Sequence, residues 1–181
     1  AGYQVETNAL WYNAICFAME MEAETVGGDV DFISQWGPIR DTVKENYLPT
    51  FWNREHNCLA DYVDNSGQNR DIRPNQLIAI SVKYSPVDDE LAPSILRVID
   101  NELLTARGVR TLSPRDPKYK GVYEGSQEER DLAYHNGSSH PALLEHYAEA
   151  AFRIKGPAFW KKAEWLTEGF YEDLGKHGVG A

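Results

Sequence analysis

Apolar residues three and four apart return in block after block of this 181-residue chain, and that spacing limits its fold more than any motif does. Side chains at such spacing share one face of an α-helix. Leu143, Leu144, Tyr147, Ala148, Ala151 and Phe152 follow the rule, as do Phe32, Trp36, Val43, Tyr47 and Phe51. Leu91, Ile95, Val98, Ile99 and Leu103 make a further face, and Phe159, Ala163, Leu166, Phe170 and Leu174 another. From Leu10 to Met21 the chain is apolar around most of its circumference, which suits a helix buried on more than one side. The period predicts an all-α chain of five or six helices.

Punctuation sets the expected ends. Thr7 or Asn8 caps the first helix, and Glu22, Glu24, Gly27 and Gly28 end it. Asp29 opens the second, which Pro38 kinks or splits. Pro74 starts a third and holds Arg73 extended, and a fourth runs from about Asp88 to Leu104 with Pro93 in its first turn. Ser138 or Ser139 caps the helix after Pro141, and Gly175 and Gly178 end the last one. Between them, Thr105 to Ala133 is rich in Gly, Pro, Asp and Tyr without helical period. A loop that long is functional or partly stranded, and strand signal outside Gly108 to Tyr123 is slight. No repeat and no internal domain boundary is legible.

Eighteen basic against twenty-eight acidic residues give a net charge of -10 with no basic stripe, which argues against nucleic acid and anionic membranes as partners. No apolar run reaches the roughly twenty residues that span a bilayer, and no leader pattern opens the chain. The expectation is a soluble, cytoplasmic protein, or a targeting segment outside these residues. Cys58 beside His56 offers two soft ligands where zinc takes four, or three and a water, so no metal is expected. Nor is there a phosphate loop, a dinucleotide glycine pattern or a nucleophile elbow. Five tryptophans and ten tyrosines beside an acid excess suit a core, and equally suit carbohydrate, whose faces stack on rings while carboxylates and amides take its hydroxyls.

Three polar clusters sit at helix starts: Glu6 and Asn8 before Trp11, Asp71 and Arg73 before Asn75 and Gln76, and His135 and Asn136 before His140. In a protein of paired helices, alternate junctions share one end of the molecule, where such clusters would surround a cleft. Glycoside hydrolysis asks for two carboxyl groups, one protonated and one ionised. Glu6, Asp71, Glu124 and Asp131 are candidates, and nothing in the sequence marks one as acid or base.

The blocks Val5-Glu6-Thr7-Asn8-Ala9-Leu10-Trp11-Tyr12-Asn13-Ala14, Ile72-Arg73-Pro74-Asn75-Gln76, Gly108-Val109-Arg110-Thr111-Leu112-Ser113-Pro114 (after Leu103-Leu104), Tyr119 with Gly121-Val122-Tyr123-Glu124-Gly125, and Tyr134-His135-Asn136-Gly137 stand in that order over nearly the whole chain. Together they resemble the amylo-1,6-glucosidase domain of glycogen-debranching enzymes. The resemblance implies an (α/α)6 toroid, two concentric rings of helices with a cleft at one end, of which these residues 1–181 would be about half. It implies hydrolysis of α-1,6 branch linkages of glycogen or related oligosaccharides, by inversion, with water as nucleophile and no cofactor. The acid would lie just before Ala1 and the base glutamate just after Gly180, leaving the catalytic residues unassigned here. Glu6, Asn8, Trp11, Arg73, Asn75, Gln76, Arg110, Tyr134, His135 and Asn136 would line or support the sugar cleft. Half a toroid would expose an apolar seam open to self-association or to the rest of its own domain. Two departures stand out. The family's Gln-Gly-Thr-Val-Trp-Pro-Trp reads Asn136 to Ala142 here, losing two rings, and Ala106 replaces a proline. The first leaves the exact oligosaccharide open. The alternative is a helical carbohydrate-binding or scaffold domain without catalysis.

Overall fold

The computed structural model describes residues 2–174 and 176. It is predominantly helical, with paired helices and short antiparallel strands, and it divides into two compact units. One takes Ala1–Arg70 and Asn75–Ile95, and the other takes Asp71–Pro74 and Leu96–Ala181.

In the first unit, β1 (Tyr3–Gln4) leads directly into α1 (Val5–Glu24), which pairs with α2 (Val30–Phe51). Neither Thr7 nor Asn8 caps α1, because the helix starts before them and Gln4 makes no side-chain cap. The sheet does that work. β1 pairs with β4 (Tyr62–Asp64), and the Val5 N–H donates to the Asp61 carbonyl at 3.0 Å. Asp29 does cap α2, its Oδ1 accepting from the N–H groups of Asp31 and Phe32 at 2.9 and 3.1 Å. α2 runs unbroken through Pro38 and Pro49, so Pro38 does not split it. An internal proline costs a helix about 3 kcal/mol, and packing along α1 offsets that. The core of this unit includes Val5, Ala9, Ile15, Tyr47, Phe51, Leu59, Leu77 and Ile80. Leu10, Phe17 and Met21 of α1 remain about half exposed.

The polar stretch after α2 forms two hairpins, β2 (Trp52–Asn53) with β3 (Cys58–Leu59) and β4 with β5 (Gly67–Gln68). Strands of two or three residues are too short to show alternation, so their sequence reads only as turns. α3 (Gln76–Ser81) follows.

α4 (Ala92–Glu102) starts later than Asp88, after a turn in which the Leu91 N–H bonds to the Asp88 carbonyl; Pro93 lies in its first turn as expected. In the second unit, β6 (Leu104–Thr105), β7 (Gly108–Arg110) and β8 (Ser139–His140) make an antiparallel sheet in that order. The long segment is thus partly stranded, and it also holds a helix that its period did not announce. This is α5 (Gln127–Ala133), closed by a capping box between Ser126 and Glu129. Ser138 and Ser139 cap nothing, since Ser139 is committed to β8 and α6 (Leu143–Lys155) starts from Ala142 without a side-chain cap. A 3-10 turn (Gly156–Phe159) joins α6 to α7 (Trp160–Asp173). The expected stops at Gly175 and Gly178 lie outside the described residues. With α3 and α5 included, the described residues hold seven α-helices.

Tyr147, fully buried, ties α6 to α4 by donating to Asp100 Oδ1 at 2.6 Å, while Lys155 donates to Oδ2 at 2.7 Å. No helix among the described residues is long and apolar enough to cross a membrane.

Candidate functional site

The second unit gathers its polar residues around one turn. α5 ends at Ala133, and the N–H of Tyr134, the residue that caps it, returns to the Arg130 carbonyl. His135 then takes the left-handed conformation, φ 57°, unusual for a side chain of its size. The turn is pinned on every side. The Asn136 N–H donates to the Ala133 carbonyl at 3.0 Å, its Nδ2 to the Leu132 carbonyl at 3.0 Å, and the Gly137 N–H to Thr111 Oγ1 at 2.9 Å.

Arg73 fastens it from the other direction. Its Nη1 donates to the carbonyls of His135 and Thr111 at 2.7 and 3.3 Å, and its Nη2 to Asn136 Oδ1 and Asp71 Oδ2 at 3.2 and 3.4 Å. Lys118 Nζ reaches the same Asp71 oxygen at 2.7 Å. Burial alone would push the Asp71 carboxyl up, but Lys118 and Arg73 outweigh it and hold it below the ordinary range. Arg73 is therefore engaged as a brace, its planar fork matched to several acceptors at once.

What the brace presents is a row of rings. Tyr134 and His135 lie 3.9 Å apart between centroids, with Tyr123 6.3 Å from Tyr134 and His140 5.6 Å from His135. Tyr134 is 58% exposed. Arg110, on β7 beside Ser139, is half-buried, and its guanidinium makes no hydrogen bond or ion pair to a described residue. Among the described residues it is a free donor set.

The first unit holds the other expected residues. Glu6, in the first turn of α1, has Oε2 buried with no hydrogen-bond partner among the described residues. Burial raises its pKa, its own backbone hydrogen bond works against that, and the Asp61 carboxylate adds to the rise. Asn75 donates from Nδ2 to Asp61 Oδ1 at 2.9 Å. Gln76 is 1% exposed and accepts from the Leu59 N–H at 3.1 Å, so it holds β3. Its side chain also reaches the Cys58 thiol, which burial pushes up to about 11. Trp11 stands edge-on to Trp36 at 5.6 Å and stays 47% exposed. Asn8 donates to the Gln4 carbonyl at 2.7 Å and lines a separate cavity between α1 and α2.

Each unit thus assembles part of the expected set: Arg73, Tyr134, His135 and Asn136 come together in one, with Arg110 on β7 nearby in the fold, and Glu6 and Asn75 meet around Asp61 in the other. Sequence reasoning did not single out Asp61, Thr111 or Lys118. Asp61 sits in the short stretch between two hairpin strands, and Thr111 and Lys118 act through partners distant in the chain. No group of three or more His, Cys, Asp or Glu among the described residues could hold a metal ion.

A buried carboxyl oxygen without a partner is costly once ionised. A raised folded-state pKa contributes stability that is complete below the ordinary value of 4.5 and lost as pH rises through the folded value. Glu6→Gln should therefore raise Tm at pH 7, with the gain fading as pH falls through the folded value and gone below about 4.5. Equal Tm values for variant and wild type at both pH values would show that Oε2 is solvated.

The family described as amylo-alpha-1,6-glucosidase matches residues 1–178. The glycogen debranching enzyme of Saccharomyces cerevisiae is 25% identical over 220 aligned residues, which take in 97% of this chain and 14% of that protein. The chain thus spans about one seventh of that relative's length.

Proposed function

This chain belongs to the amylo-alpha-1,6-glucosidase family, and from that premise we propose that it supplies substrate contacts to a hydrolase of α-1,6 branch linkages in glycogen or related oligosaccharides. The braced turn carries this reading. A left-handed His135, fixed through its carbonyl by Arg73, holds Tyr134 and His135 exposed where nothing in the fold requires rings to be. Rings held rigid at the surface lose little entropy on binding, and a pyranose offers them an apolar face. Arg110, on β7 of the same unit, brings a guanidinium with no hydrogen bond or ion pair to a described residue, a strong hydrogen-bonding partner for sugar hydroxyls. Arg73 acts behind the rings as a positioning residue; in the first unit, taken by itself, Asn75 and Gln76 position Asp61 and β3.

The proposed chemistry is inversion. One carboxylic acid protonates the leaving oxygen while a carboxylate activates water on the opposite face. The acid and base are assigned to flanking sequence, and the architecture to part of an (α/α)6 toroid. No cofactor enters the reaction.

Tyr134→Ala and His135→Ala should each weaken binding of a maltooligosaccharide carrying one α-1,6-linked glucose by roughly tenfold, about 1.4 kcal/mol, while leaving Tm nearly unchanged because both rings are exposed. Calorimetric titration reads the first and thermal unfolding the second. Unchanged affinity in both variants would remove the ring row from the binding surface.

A further inference from the structure

The cavity that Asn8 lines lies wholly within the first unit, where β1, α1 and α2 meet. It encloses about 380 Å³, within the range of small-molecule sites. Its walls combine two kinds of surface. Tyr47 and Phe51, 4.9 Å apart between centroids, form an aromatic floor with Tyr3 at the rim. The Tyr47 hydroxyl donates to the Val5 carbonyl, so Tyr47 offers its ring alone.

Asn8, Asn46 and Thr50 supply the polar wall. Asn8 Nδ2 is tied to the Gln4 carbonyl and Asn46 Nδ2 to the Thr42 carbonyl, which fixes both amides with their Oδ1 atoms unpartnered among the described residues. The Thr50 hydroxyl is likewise unpartnered. None of the eight lining residues is charged, although a quarter of the chain is. That lining is unsuited to an ion. A purely apolar ligand would desolvate the oriented amides and the hydroxyl without replacing their hydrogen bonds. A neutral polyhydroxyl ring satisfies both surfaces, its face on the aromatics and its hydroxyls on the amide oxygens.

We propose that this pocket is a second saccharide site, taking one glucosyl unit of an α-glucan and separate from the ring row of the His135 turn. The choice of glucose among neutral sugars rests on the family reading above. The site's existence rests on the pocket.

The test is a titration of the full chain with the same α-1,6-stubbed maltooligosaccharide, followed by NMR on the side-chain amides of Asn8 and Asn46 and on the backbone amide of Gly137. A saturable shift at Asn8 and Asn46 is expected. Tyr3→Ala and Asn46→Ala, both at exposed positions, should weaken the Asn8 response at least fivefold and leave that of Gly137 in place. If Gly137 responds and the two side-chain amides stay still, the pocket is not a sugar site and the His135 reading survives. If only the side-chain amides respond, the pocket stands and the ring row falls. Silence at all three overturns both.

Discussion

Arg73→Ala should cost more function than any other single change in the second unit. The variant strands the His135 and Thr111 carbonyls and Asn136 Oδ1, and removes one partner of Asp71. Removing one member of a largely buried charged network costs about 3 kcal/mol, and the Arg73 side chain is only 19% exposed. Without the brace, a left-handed His135 has little reason to persist, so affinity for the stubbed oligosaccharide should drop well over tenfold. Arg73→Lys is the informative companion. It keeps the charge beside Asp71 but not the fork that reaches several acceptors together, so it should recover part of the stability and little of the affinity. The pH dependence has a definite sign. A depressed carboxylate contributes stability that is present above its ordinary value, 3.8 for Asp71, and lost as pH falls through the folded value. The gap between wild type and Arg73→Ala should accordingly hold at pH 5 and narrow only below about 3.8. Urea unfolding across that range measures it, and a variant as stable and as tightly binding as wild type would deny Arg73 the bracing role.

Gly137→Ala should damage the same turn from within. Gly137 sits at φ +146°, and a Cβ there would lie 2.8 Å from the backbone carbon and oxygen of Lys120 and 2.7 Å from the Tyr119 ring. Backbone cannot swing aside as a flexible side chain can. The unfavourable φ costs about 1 kcal/mol, and forcing the overlap apart adds about 2 kcal/mol. The Lys120 N–H to Asn136 carbonyl bond, at 2.6 Å, lies directly in the path of that displacement. Gly67→Ala separates the two effects. Gly67 also has positive φ, +103°, but a Cβ there meets nothing within 4 Å, so only the conformational part, about 1 kcal/mol, should appear. Equal losses in the two variants would mean that the Lys120 backbone yields freely.

These consequences were unevenly legible beforehand. The long helices declared themselves because α2, α4, α6 and α7 each repeat an apolar face over several turns and α1 is apolar around most of its circumference. Two-residue strands carry no period, and that hid the β1–β4 pairing which makes a side-chain cap on α1 unnecessary. The capping box of α5 is written in Ser126 and Glu129, but one short helix inside a segment rich in Gly and Asp gives no face to recognise. At the site, the resemblance offered Glu6, Asn8, Trp11, Arg73, Asn75, Gln76, Arg110, Tyr134, His135 and Asn136 as one set, of which Arg73, Tyr134, His135 and Asn136 lie around one turn. The sequence did not reveal that Arg73 turns its donors on the protein. That depends on contacts spanning 38 and 62 residues, which no local pattern encodes. Gln76 was likewise visible as polar at a helix start, whereas its engagement with the Leu59 N–H follows only from the hairpin packed over it.

The measurement that bears most directly on the central claim is calorimetric titration of the intact 181-residue chain with the α-1,6-stubbed maltooligosaccharide, with free glucose followed in the same samples by a coupled assay. Saturable binding with no glucose released is the predicted result: the sugar contacts are carried here and the acid and base are not. Steady glucose release would contradict it, because both catalytic carboxyl groups would then have to lie within these residues.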